Sequence, residues 1–304
     1  MTSPALAQRF EEHRSHLLAV GYRLTGSVAE AEDAVQESWL RLAGADVDSV
    51  RDLRAWLTTV VGRICLDLLR SAQKRRESYV GQWLPEPVVT PLGGEPDPLD
   101  ALVRDEDARL AAMIVLEHLS PPQRVAFVLH DGFGVPFDEI ADALDVTVPA
   151  ARQLASRARR EAAKAPRPVS AAEHSEAAGR VLAAFAAADI DAVIAALHPD
   201  AVTVGDAGGT TRTALRPVIG ADKVARFFFG LAKRYGFDQV ERYVPVLVNG
   251  RLGMYLAGSA GDDEHAAYAS RVTGFVVEDG KVVGAYDFAN PAKFAGVHVD
   301  GRVP

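Results

Sequence analysis

Apolar residues recur at helical spacing along the N-terminal part of the chain, and polar residues divide the pattern into three helices. The first helix is predicted over residues 5–24. Ser27, with Glu30 three residues later, has the pattern of a capping box and predicts the start of a second helix. After a short polar loop, a third helix is predicted from residue 51 to about residue 72. These helices form the first predicted region.

Short helices with clear boundaries follow over residues 105–164. Ser120-Pro-Pro-Gln123 is another capping pattern, with proline in the first turn, where it is tolerated. Pro136 begins one short helix, and Thr147 is the predicted N-cap of a helix over residues 148–162. Two short helices joined by a tight turn, the second rich in arginine, are typical of a helix-turn-helix DNA-binding unit. An ordinary hairpin of two helices would show the same spacing.

The apolar spacing changes from the helical to the strand period near residue 201. Before it, Ser170 and Glu173 predict a helix to about residue 188, and a shorter helix follows to residue 197. Asn249-Gly250 and Asp279-Gly280 are strong hairpin turns. With a helix over 221–234, strands are predicted near residues 201–206, 211–217, 237–248, 251–259, 265–278 and 281–289. Helices followed by a curved antiparallel sheet of this size predict an α+β cone.

Charge sharpens the interpretation of the second region. The chain has 304 residues and a net charge of −8, which argues against attraction of the whole protein to nucleic acid. Basic residues nevertheless cluster in 63–76 and 152–167, at the ends of predicted helices. Each cluster alone is also what helix-dipole compensation on a solvated face would produce. One helix gathers the candidate DNA-binding residues Arg152, Gln153, Ser156, Arg157, Arg159 and Arg160.

The environment of the protein follows from its cysteine count and its hydropathy. The single cysteine, Cys65, cannot form an internal disulfide, which suits a reducing cytosol. No apolar run approaches the length needed to cross a bilayer, and the N-terminal stretch has no signal core. We therefore expect a cytoplasmic protein without a membrane partner.

Three segments of the helical part resemble one known family. "GSVAEAEDAVQESWLRL", "LRAWLTTVVGRICLDLLRSAQKRR" and "FDEIADALDVTVPAARQLASRARR" are similar to the two domains of extracytoplasmic-function (ECF) sigma factors of RNA polymerase, in the usual order. The resemblance covers about residues 5–165. It implies two all-α domains, sigma region 2 over residues 1–78 and sigma region 4, with its helix-turn-helix, over residues 105–168. Residues 79–104 would form the linker between them.

The same resemblance implies specific contacts. Asp33, Gln36 and Glu37, on the polar face of the second helix, would bind the β′ clamp helices of core RNA polymerase, although acids near a helix start are also ordinary dipole partners. The −35 promoter element would be read by the arginine-rich helix. Unstacked bases of the −10 element would be captured by the third helix and the loop before it, through Asp46, Asp48, Ser49, Arg54 and Arg63.

Two departures from the family pattern leave the promoter sequence open. Gly62-Arg63 stands where many members have Arg-Asn, so an asparagine often implicated in base capture is replaced. In the arginine-rich helix, Gln153 and Leu154 stand where serine and arginine are usual. Neither departure affects the expected general role.

Residues 170–304 resemble the SnoaL-like, NTF2-like superfamily, in which some members are cyclases or isomerases and others only bind ligands or partners. A subgroup of ECF sigma factors carries such a domain with three motifs, which here read "WLPEP" (83–87), "DAGGT" (206–210) and "NPAKF" (290–294). The first is intact, and each of the others departs at two positions. The resemblance implies a built-in regulator that touches the linker through Trp83, Leu84, Pro85, Asp206, Gly208, Gly209, Asn290 and Pro291.

The candidate acid–base residues of the cone are His198, Asp200 and Asp206. The resemblance implies a structural role for the first two, since the His and Asp of "HPDA" often cap the helix–strand junction in the superfamily, and no metal spacing or nucleophile–base pair is visible. We therefore expect no enzyme activity, cofactor or metal, while an unidentified small-molecule ligand stays open because a concave apolar site marks only a pocket. The side chains expected to face that pocket are Val202, Val204, Met254, Leu256, Val272, Phe275 and Phe288.

Two classes of function remain. The favoured one is an alternative sigma factor that directs promoter-specific initiation and is regulated by its own C-terminal domain. The alternative is a ligand-responsive helix-turn-helix regulator, or a DNA-binding module fused to a SnoaL-like isomerase or cyclase. Residues 28–76 favour the first class, because a repressor has no need of an acidic clamp-binding face and a −10-reading helix.

Overall fold

The computed structural model describes residues 4–46, 50–76, 79–93, 103, 109–236 and 242–299. These residues fall into two compact units, which are described separately. The helical unit comprises described residues of 4–76, residue 103 and residues 112–165. The cone unit comprises described residues of 79–93, 109–111 and 166–299, so the segment after the third predicted helix belongs to it.

Helices make up the first half of the chain. They are α1 (Pro4–Glu11), α2 (Arg14–Thr25), α3 (Val28–Ala43), α4 (Leu53–Arg76), α5 (Leu110–Leu116), α6 (Pro121–Phe127), α7 (Phe137–Leu144) and α8 (Val148–Ala162). A π-helical turn, Val128–Gly132, extends α6. Ser27 caps α3 by accepting the Glu30 N–H at 3.1 Å, as its spacing predicts. Thr147 caps α8 in the same way.

The single helix expected over residues 5–24 is wrong, because α1 ends at Glu11 and α2 begins at Arg14. At the junction the His13 N–H donates to the carbonyl of Phe10 at 2.9 Å, three residues back rather than four. This tighter bond turns the chain, and the polar run Glu11–Arg14 supplies no large apolar side chain to hold a straight helix against the core.

The core of the helical unit lies between α2, α3 and α4, where Leu17, Leu24, Val35 and Leu57 are fully buried. Helix α4 also packs on α6 and α7, so both predicted helical regions contribute to one unit. Gly62 makes this close approach possible, because a Cβ there would lie 2.7 Å from Cδ1 of Leu129.

The cone unit contains three helices and a seven-stranded sheet. The helices are α9 (Ala171–Ala186), α10 (Ile190–Ala196) and α11 (Ala221–Tyr235). The strands are β1 (Val89–Pro91), β2 (Leu197–Asp206), β3 (Val218–Ile219), β4 (Val244–Val248), β5 (Arg251–Leu256), β6 (Arg271–Glu278) and β7 (Lys281–Phe288). Their order in the sheet is β1-β4-β5-β6-β7-β2-β3. The three helices pack on one face and bury Ala178, Val224 and Val282 with Phe275.

Three expectations for the sheet need correction. Strand β2 pairs with β7 in parallel, so the sheet is mixed rather than antiparallel. The strand expected at 211–217 is absent from the described residues there, and β3 is confined to Val218–Ile219. Pro217 has no N–H to donate to a ladder, and the segment makes isolated contacts instead: the Gly205 N–H donates to the Ala214 carbonyl at 3.1 Å, and the Thr213 hydroxyl donates to Asp287 at 2.7 Å. The strand expected at 265–278 begins only at Arg271.

Strand boundaries elsewhere follow the turns. Asn249 and Asp279 adopt positive φ angles of 48° and 49° in the two predicted hairpin turns, which join β4 to β5 and β6 to β7. The strand expected near 237–248 is present from Val244, and residues 237–241 lie outside the described part of the chain. Among the described residues, no helix combines the length and the hydropathy that spanning a membrane requires.

Candidate functional sites

The basic face of α8 points to solvent. Ala151, Ala155 and Ala158 are fully buried on its inner side, so the remaining positions are free to face outward. All six candidate −35 residues are exposed: Arg152, Gln153, Ser156, Arg157, Arg159 and Arg160. Their exposure on one helix gives a continuous cationic surface of the kind that neutralises phosphates.

Two of these arginines already have partners within the helical unit. Arg159 Nε donates to Oδ1 of Asp131 at 2.6 Å. The guanidinium of Arg152 lies 5.7 Å from the centroid of the Phe137 ring. Both contacts orient the side chains at the edge of the surface. Because the Arg159 pair is partly exposed, it contributes little to stability but reduces the charge offered to DNA.

The acidic face of α3 is also exposed, and it includes a residue that the sequence analysis missed. Asp33, Gln36 and Glu37 are exposed as expected, with Glu37 bonded to Nε of Arg41 at 3.1 Å. Leu40 is 64% exposed. It follows Asp33 by seven and Gln36 by four residues, which puts it on the same face. An exposed leucine beside carboxylates combines apolar contact with charge, as protein interfaces do.

The candidate −10 residues are only partly within the described chain. Asp46, Arg54 and Arg63 are exposed, while Asp48 and Ser49 lie outside the described residues. Arg54 is held by His16, whose Nδ1 lies 3.0 Å from Nη2 of the guanidinium. Arg54 and Arg63 thus give α4 exposed basic side chains.

The neighbours of His16 favour its neutral form. Its Nδ1 must accept from Arg54, and its Nε2 lies 2.9 Å from Oγ1 of Thr58. Burial, followed by the charge of Arg54, lowers the pKa of His16 to about 4. The sequence pattern gave no signal for this contact, because His16 lies on α2, whereas Arg54 and Thr58 lie on α4.

The WLPEP segment is buried in the cone unit. Leu84 and Glu86 are 4% and 6% exposed, and the prolines that flank Glu86, Pro85 and Pro87, are buried as well. Trp83 is half-buried. A flexible tether would leave such residues in water, so this segment is a docked part of the cone.

Asp206, at the end of β2, anchors the start of the docked segment. It is 1% exposed, and its Oδ2 accepts the Leu84 N–H at 2.8 Å and the Lys293 ammonium at 2.5 Å. Its Oδ1 accepts a hydrogen bond from the Tyr79 hydroxyl. Burial and this bond raise the pKa of Tyr79, which therefore stays a neutral donor.

The NPAKF segment completes the site. Lys293 is 2% exposed, donates to the carbonyl of Leu84, and lies with Nζ 3.2 Å from the centroid of the Trp83 ring. Asn290 Nδ2 donates to the Tyr79 hydroxyl at 2.8 Å, and Asn290 Oδ1 caps the turn that begins at the exposed Pro291. The WLPEP segment, which contains two prolines, loses little conformational entropy when these contacts hold it.

Gly208 and Gly209 allow the DAGGT segment to bend beside this site. Their φ angles are 55° and 80°, a region that favours glycine. At Gly208 a Cβ would lie 2.8 Å from Nδ2 of Asn290. A role for these glycines and for Asp206 was predictable from the sequence, whereas the roles of Lys293 and Tyr79 were not predicted. The signal available for Lys293 was its place within the NPAKF motif.

The rest of the docked segment joins the sheet. In β1, Val89 pairs with Val248 of β4, and the Val88 carbonyl accepts the Asn249 N–H at 2.7 Å. On the other side, the Val89 N–H donates to the Gly296 carbonyl at 2.7 Å. This strand was not predicted, because its partner lies far away in the sequence.

A cavity lies on the opposite face of the sheet, inside the cone unit. Asp287 of β7 pairs with Gly205 of β2, so Asp287 and Asp206 point to opposite faces. Of the side chains expected to face the cavity, Met254, Leu256 and Phe275 do so. The lining does not include Val202, Val204, Val272 or Phe288, because strand alternation turns them to the other side, and that expectation is wrong for these four residues.

The other candidate acid–base residues lie at the start of β2. The Asp200 N–H donates to Nδ1 of His198 at 3.1 Å, and Asp200 is exposed. This is a local contact at the helix–strand junction, away from the cavity lining. Across the described residues, no group of three or more His, Cys, Asp or Glu side chains is arranged to hold a metal ion.

Comparisons with known proteins agree with this architecture. A family model described as Sigma-70 region 2 matches residues 9–75, and one described as Sigma-70, region 4 matches residues 110–161. The ECF RNA polymerase sigma factor SigJ of Mycobacterium tuberculosis is 55% identical over 290 residues, 94% of this chain and 92% of SigJ. The probable ECF sigma factor SigI of the same species is 36% identical over 219 residues, 70% of this chain and 72% of SigI.

The similarity extends to the three-dimensional structure. The crystal structure of M. tuberculosis SigJ matches with a TM-score of 0.83 and 53% identity, over 96% of this chain and 99% of that one. The predicted fold class, two helical sigma regions followed by an α+β SnoaL-like cone, is thereby confirmed. The chain belongs to the ECF sigma factors of RNA polymerase.

Proposed function

We propose that this protein is an alternative sigma factor that binds core RNA polymerase and directs transcription initiation from specific promoters. The observation that carries the proposal is the presence, in one helical unit, of an exposed acidic face on α3 and an exposed basic face on α8. Each lies within a segment similar to a sigma region. Such a factor acts in the cytoplasm, where RNA polymerase works.

The domain assignment follows from this role. Residues 1–78 serve as sigma region 2, residues 79–104 as the linker, and residues 105–168 as sigma region 4. Residues 170–304 form the SnoaL-like regulatory domain. The linker assignment is compatible with the docked segment being part of the cone, since a linker can be bound at one end.

The polymerase contact is assigned to α3. Asp33, Gln36 and Glu37 offer carboxylate and amide groups to the β′ clamp helices, and Leu40 offers an apolar contact at the end of the same stripe. Charge at the rim steers the encounter, while the desolvated leucine supplies affinity.

The promoter contacts are divided between two surfaces. The exposed arginines of α8 bind the −35 element as duplex, by neutralising phosphates and reaching base edges in the major groove. Arg54, Arg63 and Asp46, with Asp48 and Ser49, bind unstacked bases of the −10 element, for which stacking and pockets matter more than groove patterns.

The cone acts as a regulator rather than a catalyst in this proposal. Its contact with the WLPEP segment through Asp206 and Lys293 fixes the start of the linker and so limits how far the two sigma regions can separate. Binding to polymerase at two promoter elements then depends on whether this segment stays docked. Trp83, Leu84 and Pro85 are the linker side of the regulatory contact.

Run-off transcription with purified core RNA polymerase tests the sigma role. The full chain should co-purify with the core enzyme and direct initiation from a subset of a promoter-library pool. An α3 variant carrying Asp33→Ala, Glu37→Ala and Leu40→Ala should lose association with the core, whereas a Glu176→Ala and Asp191→Ala variant, changed at exposed acids of the cone, should keep it. Tight binding to duplex DNA alone, with neither core association nor initiation, would support a helix-turn-helix regulator instead.

Two further changes test the regulatory role. Trp83→Ala and a truncation after Pro168 should each change promoter activity in the same assay. If transcription is unaltered in both, the cone does not regulate the sigma regions. Exposed Gln82, next to Trp83, provides a matched control as Gln82→Ala.

A further inference from the structure

The cavity of the cone has apolar walls and a buried ion pair. It measures about 60 Å³, and helices α9, α10 and α11 supply most of its apolar walls. Arg271, Thr273 and Asp287 reach it from adjacent strands of the sheet. Because it lies on the face of the sheet opposite Asp206, it is separate from the linker site.

The ion pair leaves two buried polar atoms unused. Arg271 and Asp287 are 4% and 2% exposed, with Nη1 3.4 Å from Oδ2. Oδ2 of Asp287 also accepts from Thr213, and Nη2 of Arg271 lies 3.4 Å from the carbonyl of Arg212. Among the described residues, however, Nε of Arg271 and Oδ1 of Asp287 have no hydrogen-bond partner. Buried donors and acceptors are nearly always satisfied, so this pair points to a missing occupant.

The chemistry of the two atoms defines the occupant's head group. Nε of Arg271 requires an acceptor, and Oδ1 of Asp287 requires a donor. A hydroxyl or an amide offers both and is neutral. A carboxylate would face the Asp287 oxygen, and an ammonium would face the Arg271 guanidinium, so a charged head group would meet repulsion from one member of the pair. Burial raises the pKa of Tyr243 to about 12, so that lining residue adds no charge.

The volume limits the body of the occupant. The cavity volume of about 60 Å³ is smaller than the ~150 Å³ apolar cavity that holds a benzene molecule. The half-buried Phe228 and Met254 border the cavity. Part of a single ring would therefore lie inside the cavity, and the rest would lie beside these two side chains. Methionine adapts readily to such an occupant.

We propose that the cone binds a small apolar molecule, no larger than about one ring in its buried part, whose neutral hydroxyl or amide head group bonds to Arg271 and Asp287. The inference does not rest on the sigma role, since all the residues that carry it belong to the cone unit. It assigns the cone a ligand class and an orientation, with the head group at the ion pair.

The proposal is tested by titration calorimetry and ligand-observed NMR, which measure the binding of phenol, toluene and benzoate to the full chain. Phenol and toluene have almost the same shape, and only phenol carries a hydroxyl. Phenol should bind saturably and at least about tenfold more tightly than toluene, since hydrogen bonds to charged groups carry such a difference. Equal binding of phenol and toluene, tighter binding of benzoate, or no saturable binding of phenol would overturn the proposal.

Two variants test whether the preference for phenol over toluene depends on the Arg271–Asp287 ion pair. Arg271→Met with Asp287→Leu replaces the pair by apolar side chains of similar volume, and should abolish the preference for phenol while toluene still binds. Asp287→Asn keeps the shape and should weaken phenol several-fold without affecting toluene. If the two ligands weaken equally in Asp287→Asn, the head group is not at Asp287 and the proposal fails. Because no polymerase is present, failure here leaves the sigma role intact, and failure of run-off transcription leaves the ligand site intact.

Discussion

The ammonium group of Lys293 lies 3.2 Å from the centroid of the Trp83 ring, and it is the buried cation that joins the NPAKF and WLPEP segments. The same ammonium is 2.5 Å from Oδ2 of Asp206, at the end of β2. Three motifs that are distant in the sequence therefore meet at one charge. A desolvated cation over tryptophan contributes about 2 kcal/mol, and the buried carboxylate depends on the same ammonium for its counter-charge.

Lys293→Met removes this cation while keeping the length of the side chain. We expect the cone to lose about 3–5 kcal/mol of unfolding free energy, because the buried Asp206 is left without its counter-ion. Chemical denaturation followed by circular dichroism measures the loss. Lys281→Met, at an exposed lysine on β7, is the matched control and should change stability by less than about 0.5 kcal/mol.

Coupling between Lys293 and Asp206 can be measured separately. The double variant Lys293→Met with Asp206→Asn should be less destabilised than the sum of the two single variants, since it leaves no unpaired buried charge. Strict additivity would contradict the ion pair. Hydrogen exchange at the Leu84 amide, which donates to Asp206, should accelerate in either single variant if the linker segment is released.

Gly205→Ala tests the close packing over the ion pair of the cone. A Cβ at this position would overlap the hydroxyl of Thr213 and lie 2.6 Å from its Cβ, so Thr213 must move and release Asp287. We expect a loss of about 1–3 kcal/mol in unfolding free energy. Gly179→Ala, in the middle of α9 with nothing near its Cβ position, should instead stabilise by about 0.5–1 kcal/mol. The same sign for both variants would contradict the packing argument.

The helices of the fold could be predicted well from the sequence, because their signals are local. Ser27, Thr147 and Ser170 each cap a helix where the spacing predicts one. The failures concern long-range pairing. Strand β1 is only Val89–Pro91, and its partner β4 is Val244–Val248, so no local pattern reveals the pair.

The cavity lining shows a different limit. Alternation along a strand separates two sets of side chains, but it identifies the inner set only when the other set is polar. Nearly every residue of β6 is buried, because both faces of the sheet are covered. The apolar set with Val272 therefore looked like the pocket side, whereas Arg271 and Thr273 line it.

Charge pairing on α8 predicts unequal roles for two neighbouring arginines. Arg159 is bonded to Asp131, whereas Arg160 has no ion pair among the described residues. In holoenzyme binding to a promoter fragment, Arg160→Ala should lower affinity and reduce the slope of log K against log salt by about 1. Arg159→Ala should have a smaller effect, and Asp131→Asn should strengthen binding because it frees Arg159.

The control for this series is Arg180→Ala, at an exposed arginine of the cone. It should leave both affinity and salt slope unchanged, since the proposed −35 surface does not include it. Equal effects of the Arg159 and Arg160 variants, or no change in Asp131→Asn, would show that the Asp131 contact does not limit DNA binding. Measurements at several salt concentrations are needed, because phosphate contacts are read from the slope.

His16 predicts how the stability of the helical unit depends on pH. Its pKa is lowered from 6.5 to about 4 in the folded chain, chiefly by burial, so the unfolded chain binds the proton more readily. The contribution of neutral His16 to the free energy of unfolding is therefore complete above about pH 6.5, and it declines as the pH falls toward 4. Denaturation of the full chain across this window should show stability falling as the solution is acidified.

The variant His16→Gln removes the titrating group but can still accept from Arg54. Its stability should fall less steeply between pH 6.5 and 4 than that of the wild-type chain, because one proton fewer is taken up on unfolding. Parallel curves for the two proteins would contradict the contact of His16 with Arg54 and Thr58. Because Arg54 is a proposed −10 contact, the variant also tests whether His16 orients it: transcription should then weaken at promoters that depend on the −10 element, without loss of core polymerase binding.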